Sequence, residues 1–161
     1  MTTFDPRGIL TALERHRVNY VVIGGFARVV QGTDELTRDV DICPAVRGEN
    51  LTRLASALAD LDATGLPRSL HADEPHIDDV VELDTRCGHL TVVREPAGTR
   101  GYDDLRRGAD REPLGGGLRA PIAGADDLAR MLDTLDRPGD PQIVATLRTV
   151  IELDRSLGLE L

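Results

Sequence analysis

Tyr20–Cys43 reads Y-V-V-I-G-G-F-A-R-V-V-Q-G-T-D-E-L-T-R-D-V-D-I-C, and it decides how the rest of the chain is read. Tyr20 to Ile23 is a run of β-formers stopped by Gly24-Gly25, which predicts a buried strand and a tight turn. Phe26 to Gln31 fits a helix closed by Gly32, and Asp39 to Cys43 a second strand ended by Pro44. In that strand Asp39 and Asp41 share one face, while Val40 and Ile42 face the core. Two carboxylates side by side repel unless a cation neutralises them, and hard oxygen ligands suit Mg²⁺. The glycine pair, between a strand and a helix, lets backbone N–H groups approach a phosphate without side-chain obstruction. Taken singly, a D-x-D is commonly a solvent face and a Gly-Gly commonly a turn. Their order and spacing are what carry information.

Outward from this stretch, Asp5-Pro6 reads as N-cap and first residue of a helix with Ile9, Leu10 and Leu13 on one face, ending near His16. Leu51, Leu54, Leu58 and Leu61 make a helical stripe after a cap at Gly48 to Asn50. Leu66 to Ile77 reads as loop. Val80 to Thr85 and Leu90 to Val93 read as strands of a hairpin joined by Arg86-Cys87-Gly88-His89, with Cys87 an exposed turn thiol. A short helix is expected over Asp103 to Arg107. Gly115-Gly116-Gly117 lacks a following Lys and reads as a turn between short strands, not a phosphate loop. Asp126 to Leu135 reads as a helix with acids in its first turn. Asp140-Pro141 opens a last helix with Ile143, Leu147, Val150, Ile151 and Leu157 on its core face. The expectation is an α+β fold, a small mixed sheet flanked by helices. It forms a single domain over 1–161, with a core over about 1–120 and a C-terminal helical portion over about 121–161.

Composition narrows the function. The 161 residues carry 19 basic against 28 acidic side chains, a formal charge of −9, which disfavours nonspecific DNA binding and anionic lipid surfaces. All the basic residues are Arg, so mechanisms that need a lysine nucleophile, Schiff base or P-loop lysine are excluded. Arg106, Arg107 and Arg111 read as a solvated, salt-bridged face, since two Phe, two Tyr and no Trp offer little for base stacking. Two cysteines make neither a disulfide framework nor a zinc site. No apolar run approaches the ~20 residues that span a bilayer, and Met1 to Leu10 has no signal-peptide pattern. A cytoplasmic protein without membrane partners is expected.

Gly24, Gly25, Thr37, Asp39 and Asp41 match a strand, G-G, helix, T-x-D-h-D pattern. With them the chain resembles the polymerase-β-like nucleotidyltransferase superfamily. It is most similar to the small bacterial branch of aminoglycoside nucleotidyltransferase-like proteins and abortive-infection, toxin–antitoxin nucleotidyltransferases. The resemblance continues weakly through Thr85-x-x-Gly88, Arg94-Glu95-Pro96-Ala97-Gly98, Tyr102-Asp103-Asp104-Leu105, Asp127-Leu128-x-Arg130-Met131 and Arg137-Pro138-x-Asp140. It implies a minimal nucleotidyltransferase fold with C-terminal helices. It also implies transfer of NMP from an NTP to an unidentified acceptor: a small molecule, an RNA end or a protein hydroxyl. Gly24, Gly25, Thr37 and Arg28 would hold the nucleotide, and Asp39 and Asp41 would be catalytic ligands of Mg²⁺, or Mn²⁺ in its place.

The pattern also breaks. Where the family places a third catalytic carboxylate, this chain has Thr91, a neutral hydroxyl that is a poor Mg²⁺ ligand and no base. Glu35 falls where many relatives carry Arg, and Leu132 and Gly139 where relatives often carry Lys. If the hairpin closes with Arg86 opposite His89, Asp84 lies opposite Thr91 and could supply the missing carboxylate, with Glu82 a weaker candidate. His89 is the one histidine beside the site. Two readings therefore stand: an enzyme with an incomplete carboxylate triad, or a catalytically inactive relative, a pseudoenzyme, that binds a nucleotide or a protein partner.

Overall fold

The computed structural model describes residues 3–135 and 141–160. Helix α1 (Pro6–Arg15) starts where expected: the Asp5 carboxylate accepts the Gly8 N–H at 3.0 Å and buries Ile9, Leu10, Ala12 and Leu13. Strand β1 (Tyr20–Ile23) is buried along its whole length. Helix α2 (Gly24–Gln31) begins at the first glycine rather than at Phe26, so the expected tight turn is the helix's own first turn, and Gly32 closes it at φ +117°. Strand β2 (Asp39–Pro44) alternates part-buried acids with buried Val40 and Ile42.

Helix α3 (Gly48–Asp60) has no side-chain cap at its start, contrary to the expected cap at Gly48 to Asn50. Asn50 is instead buried within the helix. Its amide accepts the Asn19 N–H at 2.7 Å and donates to Asn19 O and Ala45 O, tying the entry of β1 to the exit of β2. A buried amide with three partners satisfies its own desolvation, which a cap exposed to water would not require. The expected loop after α3 contains a single 3₁₀ turn at Arg68–His71, and its Leu70 and Ile77 are core residues.

Strands β3 (Val80–Thr85) and β4 (Gly88–Val93) form the hairpin, but β4 starts two residues earlier than the sequence reading placed it. The turn shrinks to Arg86-Cys87 because the Thr85 hydroxyl accepts the Cys87 N–H and donates to Gly88 O. Cys87, expected exposed, is buried against α1 beside Gly8. Helix α4 (Tyr102–Leu105), strand β5 (Asp110–Pro113), strand β6 (Arg119–Ile122), helix α5 (Ala125–Thr134) and helix α6 (Pro141–Glu160) follow. Gly115-Gly116-Gly117, all at positive φ, make the β5–β6 turn. Leu147 of α6 is buried, with Ile143, Val150 and Ile151 packed beside it. Arg137 to Asp140 and the side chain of Leu157 lie outside the described residues.

The six strands form one mixed sheet in the order β3-β4-β2-β1-β6-β5. The β4–β2 and β1–β6 pairs are parallel and the others antiparallel. Val81, Leu83, Leu90, Val92, Val40 and Ile42 alternate onto one face and join α1 and α3 in the core. Each fully buried Leu or Ile there contributes about 1.5–3 kcal/mol. Alternation then puts Glu82, Asp84, His89, Thr91, Asp39 and Asp41 on the opposite face.

Candidate active site

Strand register lays this face out in two rows. Ile23, Asp41, Thr91 and Glu82 stand abreast across β1, β2, β4 and β3, and Asp39, His89 and Asp84 stand abreast one step away. Thr91 is thus the direct neighbour of Asp41, with strands about 4.8 Å apart. The expected register is corrected: Glu82, not Asp84, lies opposite Thr91, because the two-residue turn moves every pair along. Asp84 pairs with His89, accepting its Nδ1 at 3.0 Å, and is 82% exposed. The His89 imidazole is held above its usual range by that hydrogen bond and by the charges of Asp84, Glu82 and Asp39.

Asp41 is the most perturbed acid of the site. Burial, then the charge of Asp39, push its pKa up to about 6, against the Thr91 hydroxyl that hydrogen-bonds it and the charges of Arg28 and His89. Its carboxylate fills the space that a side chain on Gly24 would need, and Gly24 has φ +72°. Gly24→Ala therefore combines a left-handed alanine with overlap onto Asp41. It should cost about 2–4 kcal/mol in chemical denaturation, mostly through strain and repacking. A loss below 0.5 kcal/mol would show that the turn has room for a side chain.

Gly25 has more room, its neighbours lying at ordinary contact distances. The Thr37 hydroxyl and the Arg28 Nη2 lie 3.5 and 3.6 Å from where its Cβ would sit. Thr37 donates to Asp39 O at 3.1 Å, so it ties the loop to the start of β2. Arg28 is not a loose surface residue. Its Nε and Nη2 form a fork with the Glu35 carboxylate at 2.9–3.1 Å, and both side chains are under 20% exposed. Thr33 donates to the same carboxylate at 2.6 Å.

Gly24, Gly25, Arg28 and Asp41 line one side of a cleft of about 360 Å³. The other side is apolar: Val93, Pro96, Leu128, Met131 and Leu132. This wall from α5 escaped the sequence reading, in which Leu128 and Met131 could not be told from core positions of an amphipathic helix. Arg130, on the same helix, binds Asp104 and Asp127 and anchors α5 to α4. Two members of the basic cluster are salt-bridged as expected, Arg106 to Asp103 and Arg111 to Glu14, and among the described residues Arg107 has no ion pair.

No family model and no curated protein sequence matches the chain. Solved structures do. The resistance factor ANT(2'')-Ia in complex with adenylyl-2''-tobramycin superposes at TM-score 0.61 over 92% of this chain and 88% of its own, at 14% identity. A Thermotoga maritima protein assigned as a nucleotidyltransferase matches at 0.59 over 94% and 89%, at 15% identity. The lincosamide antibiotic adenylyltransferase LnuA, solved with lincomycin bound, matches at 0.57 over 92% and 99%, at 16% identity. The chain has the polymerase-β-like nucleotidyltransferase fold.

Within that fold Asp41 lines the cleft, and Asp39 stands one step along β2 on the same face. Among the described residues no group of three or more His, Cys, Asp or Glu side chains is arranged to hold a metal ion. Asp39 and Asp41 fit a divalent cation as a two-carboxylate set: they share a face, and their mutual repulsion and the burial of Asp41 leave negative charge that a cation would relieve. Thr91, where a third acid would complete the set, is neutral. No helix of the described residues is long and apolar enough to cross a membrane.

Proposed function

We propose that the protein is a metal-dependent nucleotidyltransferase that moves a nucleoside monophosphate from an NTP to a hydroxyl or phosphate acceptor. The observation that carries this reading is the cleft itself. Asp41 of the β2 acid pair stands against the glycine turn that lines the cleft, beside an apolar wall that can hold a nucleoside. A divalent cation on Asp39 and Asp41 would supply charge neutralisation for the transferred phosphate, the main requirement of this chemistry. Asp39 and Asp41 hold the charge in place, Gly24 and Gly25 admit the polyphosphate, and the apolar side chains of α5 exclude water. The acceptor oxygen bonds to the α-phosphorus as the bond to the leaving pyrophosphate breaks, and the acceptor proton passes to water, since Thr91 offers no base.

Thr91 itself favours a second reading, a catalytically inactive member of the fold that retains nucleotide or partner binding. One measurement separates these from a bare scaffold. Millimolar NTP with Mg²⁺ should raise the thermal midpoint, because a ligand bound only by the native state adds about 2.7 kcal/mol at a hundred times its Kd. Absence of a shift with all four NTPs, confirmed by calorimetry, would remove both nucleotide readings. Binding without transfer of label from α-labelled NTP to any tested acceptor would favour the inactive one.

A further inference from the structure

The cleft has one cation among the described residues that line it, and that cation is already spoken for. Arg28 lies over Gly25, where a phosphate would approach, yet its Nε and Nη2 edge is closed by Glu35. Thr33, buried in the same loop, donates its hydroxyl to Glu35 Oε2 and its backbone N–H to Arg28 O, so the carboxylate is built into position. A guanidinium paired in this way presents little net charge, and the paired carboxylate repels any anion drawn to it. Asp39 and Asp41 add two more acids across the turn.

We infer that Glu35 is an internal counter-anion that masks Arg28, so that the cleft refuses a polyphosphate without a divalent cation and accepts only the metal-bound form. This deepens the nucleotide reading of the same site and rests on it. Glu35 is then a positioning and selectivity residue: it holds the guanidinium over Gly25 and sets the cost of admitting an uncompensated anion. With the carboxylate neutralised, Arg28 becomes a free phosphate ligand.

The probe is inorganic tripolyphosphate, titrated calorimetrically into the full chain in EDTA. Glu35→Gln keeps the size and one acceptor for Arg28 but removes the charge. It should bind metal-free tripolyphosphate at least about tenfold more tightly than wild type, the size of effect one charge a few ångströms away has near a protein surface. Adding Arg28→Gln to that variant should abolish the gain, as a double-mutant cycle requires of a specific pair. Thr33→Val deletes the hydroxyl that steadies Glu35 while keeping both charges. It should give a smaller gain, about threefold, and keeps the test open should the Glu35 variants not fold. Equal or weaker binding by Glu35→Gln, a gain that survives loss of Arg28, or no gain in Thr33→Val where the Glu35 variants fail to fold, overturns the inference. No binding by any of the proteins does the same. Wild type that binds ATP only with Mg²⁺ while Glu35→Gln gains nothing removes this inference and keeps the proposed function. Tight metal-free binding by Glu35→Gln with no Mg²⁺-dependent ATP binding by wild type removes the proposed function, and with it the acceptance of a metal-bound polyphosphate, and keeps only the masking of Arg28.

Discussion

Asp41→Asn should abolish Mg²⁺-dependent nucleotide binding, by about a hundredfold or more, while leaving the metal-free protein as stable as wild type or more so. The stability half follows from the environment of Asp41, whose pKa is pushed up to about 6 by burial and by Asp39. The folded value lies above that of the unfolded chain, about 3.9. Stability from this group is therefore fully present below about pH 4 and lost as pH rises through about 6. At pH 8 the ionised carboxylate costs about 1–2 kcal/mol after allowance for solvent screening. The isosteric amide removes that cost and still accepts from the Thr91 hydroxyl. A chain of this size should gain roughly 2–6 °C in thermal midpoint at pH 8 and nothing near pH 4. Destabilisation at pH 8 would mean that the carboxylate is a structural acceptor in the turn at Gly24, and the metal assignment would fall with it.

Thr91→Asp carries the second large effect. Register sets Thr91 between Asp41 and Glu82, so a carboxylate there stands directly beside Asp41. The side chains are close in size, so overpacking is minor, but the substitution removes the hydroxyl that hydrogen-bonds Asp41 and adds a third negative charge. Metal-free stability should fall by about 1–3 kcal/mol. Mg²⁺ should restore most of that loss, and label transfer from α-labelled NTP should rise at least about tenfold, as a complete carboxylate set predicts. Asp84→Asn and Glu82→Gln belong beside it. Whichever removes transfer in wild type supplies a third carboxylate. If wild type is inert and only Thr91→Asp gains, the natural site is a degenerate one. A Thr91→Asp protein that is destabilised and not rescued by Mg²⁺ would show that Asp39 and Asp41 do not gather a cation.

Local signals were enough for much of the molecule. Asp5-Pro6, the glycine pair, Gly32 and the alternation of Asp39 to Cys43 announce their elements because caps, positive φ and a two-residue period act over neighbouring residues. The D-x-D pair was legible for the same reason: two acids at i and i+2 in a strand must share a face wherever the strand lies. Turn length was less legible. The side-chain bonds of Thr85 close the hairpin in two residues where the composition of Arg86 to His89 reads as four, and that change exchanged Asp84 for Glu82 opposite Thr91.

The sequence by itself determined that an acid pair on a strand would follow a glycine turn, that no lysine of these 161 residues could serve the chemistry, and that position 91 holds a neutral hydroxyl. Only the tertiary structure decided which groups meet that pair. The parallel pairing of β2 with β4 puts Thr91 beside Asp41, the packing of α5 supplies part of the apolar wall, and the path of the loop after α2 pairs Arg28 with Glu35. Each of these depends on contacts between segments far apart in the chain or on the path of a loop. A local pattern of hydrophobicity and turn residues constrains backbone conformation, but the partner of a charge is chosen by where the whole chain packs.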